Sequence, residues 1–355
     1  MASSPPATDP QDEANQPATE QTQPSIEVDP DLEQGDDADS AVDGDIAPST
    51  ASLTESILQY RLVQGRTYKS SKTNDYWAPN DDPQNDGLDM FDNAATMLLG
   101  DKLFLAPIGE NPHRVLDVGT GTGLWAIDFA DAYPAAEVTA TDISPIQPIW
   151  VPPNLQFEMD DMNLDWTWPE NHFDFVHLRV LYGCVRDWAK LYSQAFRCLK
   201  PGGWIQDFEM DTKLESDRVT AEEKRTSEAW SELYIEAGKR TGCSFDIARG
   251  NKMKETMEAT GFVDIIERNI IIPCGGWPRD EKLKHAGLLI QGSILVSLDG
   301  LATLLCTEVL GWSSEEVTVL VAKMRQLVKR TMACSYINAA VVYGRKPPSA
   351  GTPAL

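Results

Sequence analysis

The nine residues VLDVGTGTG, 115–123, constrain the fold more than any other part of the chain. An apolar run enters a turn holding Gly119, Gly121 and Gly123, and amphipathic helical texture follows over 124–132. Glycine suits this turn because the backbone must bend tightly and admit a ligand with no Cβ in the way. The helix start offers free N–H groups and a positive dipole end to a carboxylate or phosphate. From Arg114 onward, short apolar runs alternate with helical stretches. The expected strands are 115–118, 137–141, 155–159, 173–178 and a fifth from the KPGGW turn (200–204) through Phe208. The expected helices are 124–132 and 187–199. This is the α/β pattern of a parallel sheet with helical crossovers.

Flanking this unit, 53–62 reads as a brief helix with Thr50 and Ser52 as caps. The stretch YWAPNDDPQNDG (76–87) reads as a long loop, since its prolines and acids disfavour regular structure, and 88–105 reads as a helix leading into the sheet. Beyond the fifth strand, helices are expected at 221–241 and 251–260, the latter stopped by Gly261. Strands are expected at 263–272 and 337–343. The helical texture between them, about 282–330, is too long for a loop and suits a lid or a subdomain that shapes the substrate site. The domain reading is a tail over 1–50, an extension over 51–113, and a sheet domain over 114–348 with a helical insertion at about 280–330.

The glycine turn gains meaning from Asp142, 23 positions after Gly119 at the end of the second strand. A carboxylate there can accept hydrogen bonds from both hydroxyls of a ribose. The dinucleotide pattern G-x-G-x-x-G would require glycine at position 124, where this chain has Leu124. That favours S-adenosyl-L-methionine over a nicotinamide dinucleotide.

The chain resembles the class I adenosylmethionine-dependent methyltransferases, and within them the fungal LaeA-like group, over nearly all of 53–347. The matching stretches are YWAPNDD (76–82), VLDVGTGTGLWAIDFA (115–130), TDISPIQPIWVPPN (141–154), FDFVHLR (173–179), LKPGGW (199–204) and VVYGRKP (341–347). The resemblance implies a Rossmann-like, doubly wound seven-stranded sheet whose last strand is antiparallel, with the cofactor across the carboxyl ends of the first strands. It implies that Asp117 and Gly119 hold the methionine end, that Asp142 holds the ribose, and that Asp161 accepts from the adenine N6 amine. Thr120, Gly121, Gly123 and Ile143 would line the same cofactor site. A plainer reading of Asp161 is a turn acid beside Asp160. Where related chains often carry Glu after LKPGGW-Ile, this one has Gln206, and Glu209 is the candidate replacement at the substrate.

Methyl transfer from a sulfonium is an in-line displacement that chiefly needs alignment, so no triad is expected. His177, at the end of the fourth strand, is the candidate general base, with a core or cofactor-flanking histidine as the plainer alternative. Arg179 is a candidate anchor for an acidic acceptor or the partner of a loop acid. Tyr68, Tyr76 and Trp77 could lie over the sulfonium, where aromatic faces favour a cation, or simply join the N-terminal segments to the sheet. Trp166 and Trp168 read as core caps.

Charge separates the tail from the rest. Residues 1–50 hold 13 of the 55 acids, none of the 30 bases and seven prolines, a composition expected to stay disordered. The chain is net −25, which disfavours long-range attraction to nucleic acid or anionic lipid. No membrane-spanning run and no secretory signal is read, so the expected location is cytoplasmic or nuclear. Six dispersed cysteines form no C-x-x-C pair, so reduced, buried thiols and no metal are expected. The expected acceptor is a small molecule or a protein. Three functions stay open: a pathway enzyme, a nuclear regulator with a protein partner, and a scaffold that no longer binds cofactor.

Overall fold

A computed structural model describes residues 26–30, 60–69 and 76–349. Its elements are β1 (Tyr60–Val63), β2 (Arg66–Lys69), α1 (Asp82–Leu98), β3 (Arg114–Val118), α2 (Leu124–Ala132), β4 (Glu137–Asp142) and β5 (Leu155–Met159). Then come β6 (Phe173–Arg179), α3 (Trp188–Cys198), β7 (Leu199–Glu215), α4 (Ala221–Thr241), α5 (Lys252–Thr260) and β8 (Val263–Pro273). Helix α6 (Glu281–Leu304) runs into a π-helical turn (Leu305–Leu310), followed by α7 (Ser314–Lys329) and β9 (Tyr336–Arg345).

Seven strands form one sheet in the order β5-β4-β3-β6-β7-β9-β8. The first five pair in parallel, and β9 runs antiparallel between β7 and β8, as expected. The order reverses at β3, where β4 lies on one side and β6 on the other, so the crevice beyond the carboxyl ends of β3 and β6 is the switch-point position for a ligand, with the end of β4 beside it. Both faces of the central strands are covered: Val115, Leu116, Phe175, Val176 and Leu178 are all wholly buried. Trp125 and Phe129 of α2 stack at 5.1 Å and lie against Phe175 at 6.2 and 6.3 Å. Burying each such ring contributes about 1.5–3 kcal/mol. Trp166 meets Trp168 edge-on at 5.3 Å and Trp168 meets Phe173 at 5.6 Å, the core cap that their spacing suggests. All six cysteines are buried free thiols.

The N-terminal side departs from expectation in three places. Tyr60–Val63 is a strand paired antiparallel with Arg66–Lys69, where a helix over 53–62 was expected; residues 51–59 lie outside the described residues. The loop expected over 76–87 ends at Asp81, because α1 begins there and stops at Leu98. Asp81 caps it by accepting from Gln84 N at 3.2 Å, and Pro83 falls in the first turn, where its missing N–H costs nothing. The same acids that suggested a loop suit the positive end of a helix. Asp81 also takes both arms of Arg66 at 2.6 and 2.7 Å, which fastens the hairpin to α1.

Residues 26–30, expected to be disordered with the rest of the tail, dock on the loop after β8. Val28 bridges Pro278, Asp29 N donates to Trp277 O, and Arg279 N donates to Glu27 O, both at 2.9 Å. Two ion pairs, Glu27–Arg279 and Asp29–Lys284, flank the bridge. Residues 1–25 and 31–50 lie outside the described residues.

The insertion is helical as expected. α6 packs along α1, α7 packs on α6 and α4 on α7, while α3 and α5 pack together elsewhere on the sheet. Together α6 and the π-helical turn span Glu281–Leu310, thirty residues with a mean hydropathy of 1.8 in their most apolar window. By length and composition this helix could cross a membrane, contrary to the reading that no such run exists. Gln291, Ser293 and Asp299 interrupt the run in sequence and hide it. In the fold those interruptions have local partners: Gln291 Nε2 donates to Val328 O and Ser293 Oγ to Gly87 O.

Candidate active site

The glycine turn is tied to the end of the neighbouring strand β4 by its own backbone. Gly119 N and Thr120 N donate to Thr141 O of β4 at 2.8 and 2.9 Å, and Gly121 N donates to the Asp142 carboxylate at 2.9 Å. Gly119 and Gly123 adopt φ of +71° and +87°. A Cβ on Gly119 would lie 2.4 Å from Leu181 Cδ2, and one on Gly123 2.4 Å from Phe157 Cζ, so a side chain at either would have to displace its neighbour as well as adopt a left-handed backbone. Ser144 N supplies the second hydrogen bond to Asp142 at 2.9 Å. Burial outweighs these donors and pushes the Asp142 carboxyl up to about 6.

Beneath the turn lies a three-residue relay. β3 and β6 are in register so that Asp117 pairs with His177. Asp117 Oδ1 lies 2.7 Å from His177 Nδ1, and Thr120 Oγ1 donates to Asp117 Oδ2 at 2.6 Å. The imidazole lies flat on Trp125, with centroids 3.7 Å apart and planes 4° apart. Burial lowers the His177 pKa against the pull of Asp117, which favours the neutral ring. An ionised carboxylate only accepts, so Nδ1 carries the proton and donates it to Asp117. His177 is thus the inner wall of the cofactor half and the group that holds Asp117 and Thr120 in place, as the plainer reading has it.

These residues open on one large cleft with about 1430 Å³ of empty space, open solvent at its mouth included. Of the residues singled out from sequence, Asp117, Gly119, Thr120, Gly121, Asp142, Ile143, Tyr76, Trp77, His177 and Arg179 line it together. Gly123 stands just behind, where it opens α2 as an αL cap. The set fits an adenosylmethionine: a side-chain-free turn for the methionine end, and an acid at the end of β4 for the ribose.

Four expectations are corrected. Asp161 does not line the cleft; it turns back to accept from Asn163 N at 3.0 Å, while Asp160 and Met162 on either side face the space. Tyr68 is wholly buried away from it, with its hydroxyl donating to Gly300 O of α6 at 2.8 Å, so it anchors the β1–β2 hairpin. Arg179 reaches the cleft but is engaged by Asp92 of α1, also buried, which takes the charge offered to an acidic acceptor. Glu209 is wholly buried outside the cleft, and its two oxygens accept from Leu181 N at 2.6 Å and Tyr182 N at 3.0 Å. It holds the loop after β6. Gln206 does the same for the segment after α1, accepting from Leu105 N and Ala106 N at 2.6 and 3.1 Å.

From sequence, the other half of the cleft is expected only as a helical insertion over about 282–330 that shapes the substrate site, with none of its residues named. Gln84, Leu88 and Phe91 of α1 form one wall, and Ile290, Ser293, Ile294, Ser297 and Leu301 of α6 another. The spacing 290, 293–294, 297, 301 is one helical face, and it was legible as such, but nothing in sequence said which face turned inward. Met210 and Ile337 close the floor from β7 and β9.

A Rossmann-like sheet with this turn, and with an acid at the carboxyl end of each of its first two strands, defines a class I adenosylmethionine-binding enzyme. The methyltransferase domain family matches residues 92–266. The chain is 35% identical over 304 residues to methyltransferase pytC of Aspergillus terreus, covering 85% of this chain and 93% of that one. It is 33% identical over 292 residues to the secondary metabolism regulator LAE1 of Cochliobolus heterostrophus, covering 81% and 94%. It is 28% identical over 291 residues to the protein-methionine methyltransferase laeA of Emericella nidulans, covering 81% and 77%. The chain therefore belongs to the adenosylmethionine-dependent methyltransferases, in the group that contains pytC and the LaeA-like proteins.

Proposed function

We propose that this protein methylates a small, largely apolar organic molecule in fungal secondary metabolism, working in the cytoplasm or nucleus. The observation that carries the reading is the division of the cleft. One half is the glycine turn with Asp117, Asp142 and Asp160; the other is built from Phe91, Met210, Ile290, Ile294, Leu301 and Ile337. A molecule seated there is enclosed between α1 and α6 and gains affinity by leaving water.

The bound cofactor supplies an electrophilic methyl on sulfur, so the chain's task is to align a nucleophile and exclude solvent. Gln84 Oε1 is buried in the cleft wall with no protein partner among the described residues. It suits an O–H or N–H of the acceptor, which would cancel the cost of leaving a buried acceptor atom unpaired. Burial raises the Tyr76 phenol well above its ordinary value, so it meets the ligand as a neutral hydroxyl.

A second reading, methyl transfer to a protein by a regulator, is favoured by the names of the LaeA-like relatives. Labelled adenosylmethionine incubated with the protein and a fungal extract separates the two: label in solvent-extractable small molecules supports the first, and label retained in protein supports the second. Calorimetry supplies the control. Saturable adenosylmethionine binding to the wild type and its loss in Gly121→Arg, whose side chain must enter the cleft, is the expected result. No saturable heat with the wild type would remove the basis of both readings.

A further inference from the structure

Beside the acceptor half lies a second, smaller cavity with about 510 Å³ of empty space, open solvent at its mouth included. Trp77, Tyr182, Met210, Ile294, Leu301 and Ile337 line both spaces, so the two abut across a shared wall. The wall includes Met210, whose unbranched side chain re-packs readily. On the far side the lining is Leu214 of β7, Trp230 and Tyr234 of α4, and Met324 and Val328 of α7.

The rings in this chamber are set edge to face. Trp77 meets Tyr234 at 5.6 Å and 77°, and Trp230 meets Tyr234 at 5.5 Å and 72°. Such rings favour a further aromatic ring by their quadrupoles as well as by buried area. Polar groups at the chamber's end are already satisfied. Asp211 takes Arg249 on both oxygens at 2.9 and 2.7 Å, and Thr212 Oγ1 lies 3.1 Å from Ser231 Oγ, which itself accepts from Arg249 at 2.6 Å. A ligand group placed here is offered no free charge by these residues, and a charged group would lose its hydration without return.

We propose that this inner chamber receives an aromatic, uncharged ring system at one end of the methyl acceptor, leaving the nucleophilic atom in the outer half beside the methyl donor. The proposal rests on the small-molecule reading above. It adds a chemical class to the acceptor and assigns specificity to α4 and α7, which do not touch the cofactor half of the cleft.

The test uses the full chain saturated with S-adenosylhomocysteine and titrated with 2-naphthol, read by calorimetry. Saturable binding to the wild type is expected. Val328→Phe, which fills the chamber, should weaken 2-naphthol at least tenfold while S-adenosylhomocysteine affinity stays within twofold. Trp230→Phe, which opens the chamber, should shift preference from 2-naphthol towards the three-ring 9-phenanthrol at least threefold. Absence of wild-type binding, or equal 2-naphthol affinity in Val328→Phe with its fold intact by melting temperature, overturns the inference. Should Val328→Phe fail to fold, an unchanged preference in Trp230→Phe overturns it instead. Label tracing judges the small-molecule reading independently: label in a metabolite together with a chamber variant that binds normally would sink the inference and leave that reading standing.

Discussion

At the scale of single residues, the most consequential acid outside the cleft is Glu209. It sits two residues from Asp207 on one face of β7, and both are wholly buried. Burial pushes the Asp207 carboxyl up to about 7, and burial with the adjacent Asp207 charge pushes Glu209 well above its ordinary value. At neutral pH the pair therefore retains a proton. Asp207 accepts from Tyr192 Oη at 2.6 Å, while Glu209 fixes the amides of Leu181 and Tyr182, both lining residues of the cleft. Glu209→Ala leaves those two amides without their acceptor and should cost about 2–4 kcal/mol. Glu209→Gln keeps one carbonyl acceptor but turns an amide NH2 towards the other backbone N–H, so it should retain one of the two hydrogen bonds and cost less than Glu209→Ala. Urea melts of the two variants check this, and equal losses would mean that shape rather than amide capture is what Glu209 provides.

At the scale of elements, the docked segment 26–30 ties the N-terminal part of the chain to the loop after β8. Its bridge to Pro278 lies immediately before Asp280, the N-cap of α6, so it braces the start of the helix that walls the acceptor half. Removing residues 1–25 should leave the melting temperature unchanged, whereas removing 1–30 should lower it by roughly 2–4 °C, the scale of losing a short strand pairing in a chain of this size. Identical melting curves for the two truncations would show that the bridge contributes nothing. Composition concealed this segment, since Ile26 and Val28 are isolated apolar residues in an acidic, proline-bearing run and the loop they dock on lies some 250 residues on. The sheet was legible for the opposite reason. The strands at 115–118, 155–159 and 263–272 announce themselves by local apolar pattern, and their boundaries fall within a residue or two of the observed ones. In the cleft, the turn and Asp142 were legible because one short segment carries their chemistry. Asp160, α6 and the inner chamber were not, because each becomes functional only through which face it turns inward. Glu209 misled because a polar tip near a motif looks like a ligand when its partners, two backbone amides, have no sequence signature, and Tyr68 misled because an aromatic ring suited to a cation equally suits packing under α6.

For the molecule as a whole, the buried acids set stability and cofactor affinity running in opposite directions with pH. Asp142 at about 6 and Asp207 at about 7 lie above the unfolded value of about 3.9, so the native state binds more protons than the unfolded chain between these limits. Their stabilisation is fully present below pH 4 and is lost as pH rises through 6 and 7. The overall charge of −25 acts in the same direction, because deprotonation adds self-repulsion to an already acidic chain. Acid-side loss begins lower, where ion-paired carboxylates with lowered values such as Asp81, Asp174 and Asp246 take up protons. The cofactor-free protein should therefore melt highest near pH 4–5 and several degrees lower at pH 8. Adenosylmethionine should show the reverse trend, since ribose hydroxyls donate best to an ionised Asp142, and its affinity should rise severalfold from pH 5 to pH 7 with release of a proton below pH 6. Asp142→Asn should flatten the affinity profile and weaken binding throughout. A melting temperature that rises between pH 6 and 8, or a wild-type affinity level from pH 5 to 7, would show that Asp142 is ionised well below pH 6 and that burial does not govern the site.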